Sequence, residues 1–128
     1  MVYKTQTTLP LESVKAGLEA KAKEYGFGIL GSYDFKQILK SKGFEIQQNI
    51  TVYEICNPPA AAEALNSTSD ISVYLPCRLS VYEENGVTIL ATIGVEDMLN
   101  ALDVNEEFAR HMLVIFNKIR ALMNDWGK

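Results

Sequence analysis

Two short stretches concentrate the side chains able to do chemistry: YEICNPPAAAEAL at residues 53–65 and LPCRLSVYE at residues 75–83. Between them they hold both cysteines of the chain, Cys56 and Cys77, together with Glu54, Asn57 and Arg78. A thiol becomes a nucleophile or redox centre when a cation or a helix N-terminus lowers its pKa. Arg78 directly follows Cys77, and the helix start signalled by Asn57-Pro58-Pro59 directly follows Cys56, so each thiol has such a neighbour in sequence. The competing reading is plainer: an unpaired cysteine packs as a small buried hydrophobe. Twenty residues separate Cys56 from Cys77, which is neither a Cys-x-x-Cys redox spacing nor that of a zinc knuckle.

Glu54 and Cys56 lie two apart in a strand-like run, so they share a face with Val52 and Ile50, while Tyr53 and Ile55 point the other way. A carboxylate in apolar company needs a partner. Arg78 is the expected one, in an ion pair fixing two strand ends. A zinc site would have to draw on Glu54, Cys56, Cys77 and the sole histidine, His111, and no pair of these has a diagnostic spacing. No metal and no cofactor is therefore expected. Gly26, Gly28 and Gly31 follow a helix and run into a strand, the reverse of a dinucleotide fingerprint. One histidine without a local signature builds no nucleophile–base set. Asn57 heads a helix whose free amides could hold an anion, although a simple cap accounts for it equally. Tyr53, Tyr74 and Tyr82 gather in the sheet region, where they could line a pocket or a dimer face, or simply favour strands.

The elements that must position these residues follow from periodicity. VYKTQTT alternates as a strand, and Leu11, Val14, Leu18, Ala22 and Tyr25 recur at helical spacing between Pro10 and Gly26. FGILGSY reads as a short strand. Asp34 caps a two-turn helix that stops at Gly43. FEIQQNITVYEIC, residues 44–56, reads as one long strand, then a short helix from Asn57. ISVYL reads as a further strand, broken at Pro76, and Asn85-Gly86 turns a hairpin. VEDMLNAL is a short helix. Phe108, Met112, Ile115, Ile119, Leu122 and Trp126 then form the apolar stripe of a long final helix. The sum is an α+β fold: a mostly antiparallel sheet with helices on one face, as a single domain over 1–128.

Composition bounds the partners. At 128 residues, with 48% hydrophobic and 22% charged residues, the chain has the makings of an ordinary globular core. A net charge of −4 argues against nucleic acid and against an anionic membrane surface. No apolar run reaches the length of a membrane span. The opening MVYKTQTTLPLESVK lacks a basic region followed by an apolar core, so no secretory signal is expected and the cytoplasm is the expected location. There the cysteines are expected as thiols.

Taken in order, YGFGILGSYDFKQILKSKG, YEICNPPAAAEAL and LPCRLSVYE resemble the domain-of-unknown-function 302 family over about residues 2–93. The resemblance implies a fold like one repeat of the TATA-binding protein, in the order strand, helix, four strands, helix. It also implies homodimerisation, and it brings no established activity or catalytic residues. DNA binding does not travel with the fold. The resulting expectation is a small cytoplasmic homodimer that binds a small molecule near Glu54, Cys56, Asn57, Cys77 and Arg78. A thiol-dependent enzyme or redox protein using Cys56 and Cys77, and a ligand-free structural module, are the alternatives.

Overall fold

The computed structural model describes residues 1–126. Strands β1 (Val2–Thr7), β2 (Gly28–Asp34), β3 (Ile50–Cys56), β4 (Cys77–Glu84) and β5 (Val87–Ile93) form one sheet in the order β1-β5-β4-β3-β2, with every neighbouring pair antiparallel. The helices are α1 (Leu11–Glu24), α2 (Phe35–Ser41), α3 (Pro58–Ser67), α4 (Val95–Ala101) and α5 (Glu106–Asn124). With the short helices α2, α3 and α4 taken as insertions, the order is the expected strand, helix, four strands, helix.

The amphipathic stripes dictate the layering. Leu11, Val14, Leu18 and Ala22 of α1 are buried, as are Phe108, Met112, Ile115, Phe116, Ile119, Leu122 and Met123 of α5. They pack on Tyr53 and Ile55 of β3, Leu79 and Val81 of β4, and Leu90 of β5, which alternate onto the same face of the sheet. Side chains of β1 also answer carbonyls at and just past the end of α5. The Thr5 hydroxyl donates to the Met123 carbonyl at 2.8 Å and the Thr7 hydroxyl to the Trp126 carbonyl at 3.1 Å.

Capping follows the sequence signals. Asp34, Asn57 and Asn105 each accept a backbone N–H three residues on, at the starts of α2, α3 and α5. At the β4–β5 hairpin, Asn85 and Gly86 have φ of 54° and 81°, the pair of positive values that a type I′ turn demands.

Two elements differ from expectation. The strand expected over 44–56 begins only at Ile50. The preceding stretch instead opens by closing α2, where the Phe44 amide donates to the Leu39 carbonyl, and Gln47, Gln48 and Asn49 supply no apolar face to pair. ISVYL is not a strand either: Ser69–Val73 forms a 3-10 turn. The Thr68 hydroxyl caps it by accepting from the Asp70 amide, and Ile71 is its one buried side chain. The Leu75–Pro76 peptide that follows is cis.

Candidate functional site

At the end of the sheet where β3 runs into α3 and β4 begins, the packing stays open. An apolar cavity of about 270 Å³ lies there, walled by sheet, α3, the 3-10 turn and α5. Its position follows from local sequence. Asn57 ends β3 and turns the chain into α3, its Oδ1 accepting the Ala60 N–H at 3.1 Å. The helix then presents Ala60, Ala61 and Ala64 to the cavity, side chains too short to fill the space. Ile55 and Cys77 are cross-strand partners and form the floor beside Phe27. Met112 and Ile115 of α5 close the far side.

Three of the five residues singled out from sequence, Cys56, Asn57 and Cys77, line this cavity. Glu54 and Arg78 do not. They are opposite each other in the β3–β4 register, on the sheet face turned away from the helices. The expected Glu54–Arg78 ion pair does not form: the Glu54 carboxylate takes the Tyr33 hydroxyl, which donates to Oε1 at 2.8 Å. That hydrogen bond, reinforced by the negative charge, pushes the Tyr33 phenol above its ordinary pKa. Gly31 makes room for the pair, since a Cβ there would lie 3.0 Å from Glu54 Oε1 and 3.2 Å from the Tyr33 hydroxyl.

The two thiols are free and partly buried. Burial, and secondarily the charge of Cys56, push the Cys77 thiol up to about 11. Activation of Cys77 by Arg78, expected from their adjacency, is thereby corrected. Neighbours along a strand point to opposite faces, so Cys77 turns into the core while Arg78 turns out. A thiol in this state is a poor nucleophile at neutral pH. The histidine of the hypothetical zinc set lies on α5 facing α3: His111 Nε2 is 3.4 Å from Glu63 Oε2 but is buried without a hydrogen-bond partner among the described residues. Among the described residues, no group of three or more His, Cys, Asp or Glu side chains could hold a metal ion.

The family model for the domain of unknown function DUF302 matches residues 3–125. The chain belongs to the DUF302 family. A crystal structure of an uncharacterized conserved DUF302 protein from Bacillus stearothermophilus is similar at 25% identity, covering 96% of this chain and 95% of that one, with a TM-score of 0.89. No curated protein matches. The family match thus reaches past the sequence-level resemblance to include α4 and α5, and the last of these walls the cavity in this DUF302 protein.

Sequence reasoning missed Phe27, Leu30, Met112 and Ile115 as site residues, because each reads as core in its own element. The alanine run was visible, but as helix propensity rather than as absent volume. Leu30 carries the subtlest signal. The β2–β3 register shifts between Ile29 and Gly31, a bulge that leaves Leu30 unpaired. It stands 65% exposed at the cavity's edge, where a regular strand would have kept alternation.

Proposed function

We propose that this DUF302 protein binds a small molecule in the cavity between α3, α5 and the β3–β4 end. One observation carries the reading: a half-open pocket with an almost wholly apolar wall lies at the edge of the core, beside Cys56, Asn57 and Cys77. Ligand sites are concave, apolar and marked by a few polar groups, and this one has that character. Cys77, held protonated, serves as a polarizable wall in this reading rather than as a nucleophile. That disfavours thiol-dependent chemistry at Cys77.

The test is a thermal-shift and native mass-spectrometry screen of small metabolites against the wild type and Ala61→Phe, which fills the cavity. The proposal expects at least one compound that stabilises the wild type and loses its effect on the variant. Equal response of both proteins would contradict it.

We further propose that the protein works as a cytoplasmic homodimer, with no nucleic-acid or membrane partner. The sheet face away from the helices supports the dimer. Ile50, Val52 and Tyr82, each half-buried, alternate onto it beside Ile89 and Ala91, which are buried within the chain itself. The net charge of −4 supports the absence of a nucleic-acid partner, and two free thiols fit a reducing compartment. No helix among the described residues is long and apolar enough to cross a membrane. Sedimentation equilibrium of wild type and Val52→Lys tests the dimer. A dimeric wild type and a folded, monomeric variant are expected, and a monomeric wild type would sink this part.

A further inference from the structure

We propose that the cavity selects an uncharged, apolar ligand, of alkyl or small aromatic type, and rejects the carboxylate or ammonium of the same shape. This rests on the reading of the cavity as a ligand site and specifies its chemistry. The wall holds no Asp, Glu, Lys, Arg or His among the described residues. Its polar side chains are Cys56, Asn57, Ser72 and Cys77. Asn57 uses Oδ1 on the Ala60 amide and keeps its Nδ2 as a neutral donor, which carries no charge to answer a ligand's. Cys77 is a neutral thiol at physiological pH, so it offers no charge either. Burying an ion without a partner is strongly unfavourable, whereas each buried methylene favours binding.

The entrance has the same character as the interior. Leu30, displaced by the bulge in β2, is 65% exposed, and Leu65 on α3 is 44% exposed. Both also line the cavity, so an apolar surface runs without interruption from solvent to Met112 and Ile115. The residues lining the mouth are these two leucines, with no charged side chain in the lining among the described residues. Size adds a bound. The volume of about 270 Å³ is nearly twice the ~150 Å³ apolar cavity that takes one benzene, so there is room for a short alkyl chain or a fused pair of rings.

Calorimetric titration at pH 7.5 with 1-octanol, octanoate and octylammonium separates charge from shape. The expected result is that 1-octanol binds wild type at least tenfold more tightly than either ion, weakens on Leu30→Ser, and is lost on Ala61→Phe. Leu30→Ser changes an exposed side chain, so the mouth remains testable even if Ala61→Phe fails to fold. If octanoate or octylammonium binds as tightly as 1-octanol, the charge selectivity is overturned while the cavity stands as a ligand site. If none of the three binds, and a metabolite in the wider screen still does, selectivity for simple apolar molecules is again refuted. If nothing binds in either experiment, the ligand-site reading and this inference fall together.

Discussion

Cys77 shows how strand geometry overrides sequence adjacency. Arg78 is its nearest cation along the chain, yet the thiol faces the core and is pushed up to about 11 by burial first and by Cys56 second. The consequence for stability has a definite sign. Below the ordinary thiol value of 9.0, both folded and unfolded chains keep the proton. Between 9.0 and about 11, the unfolded chain loses it while the folded chain retains it, so stability falls as pH rises through that window. The loss amounts to roughly 2–3 kcal/mol across the window. Urea denaturation at pH 8.5 and 10.5 should give a steeper decline for wild type than for Cys77→Ala, and equal declines would contradict the burial. Alkylation of native Cys77 by iodoacetamide should correspondingly stay slow at pH 8.

On the opposite face, Gly31 accommodates the Tyr33–Glu54 hydrogen bond. Its φ does not lie in the left-handed region, so the glycine serves close approach rather than backbone conformation. Gly31→Ala therefore displaces only the ends of two flexible, surface-facing side chains. Its cost should stay under about 1 kcal/mol and shrink further in a Tyr33→Phe background. A double-mutant cycle by denaturant titration checks this; strict additivity would disconnect Gly31 from the pair.

At the scale of elements, α3 is the part that decides whether the cavity exists. Asn57 fixes where it starts, Pro58 and Pro59 occupy a first turn that needs no amide partners, and Ala60 and Ala64 are buried in the core. Asn57→Ala should cost ~1 kcal/mol in global stability through loss of the cap. It should also raise amide hydrogen exchange across the first turn of α3 before that of the sheet. Unchanged exchange there would show that packing of Ala60 and Ala64, rather than the cap, holds the helix in place. The start of α3 was legible from Asn57-Pro58-Pro59 alone, as was α5 from its apolar stripe. The hairpin at Asn85-Gly86 was equally plain. What misled the eye was ISVYL, whose β-branched and aromatic residues suit a strand by composition. A local cap at Thr68 and burial of Ile71 alone make it a 3-10 turn. Propensity was outweighed by a short-range hydrogen bond and by the lack of a strand to pair with.

For the whole molecule, the fold class and element order could be read from periodicity and punctuation, because each long element carries its own amphipathic pattern. The candidate site was only half legible. Cys56, Asn57 and Cys77 stood out by type and spacing, and Glu54 and Arg78 with them, yet these last two face away from the helices, while Cys56, on Glu54's side by alternation, borders the cavity because β3 ends there. The cavity itself is a property of assembly. Leu30, the α3 alanines and Met112 come from three elements, and no one of them signals a void until β2, α3 and α5 are packed. A sheet with one face under α1 and α5 and the other bearing Tyr33, Glu54 and Arg78 thus separates an apolar interior site from a polar exterior cluster.

The central claim is that a small apolar molecule occupies the space between α3 and α5. Methyl-resolved NMR of protein labelled at methionine and isoleucine tests it most directly, by titration with 1-octanol. The Met112, Ile115 and Ile55 methyls should shift in a saturable way, while Ile89, on the opposite sheet face, should stay in place. Shifts spread equally to Ile89, or no shifts at Met112 and Ile115, would contradict the account.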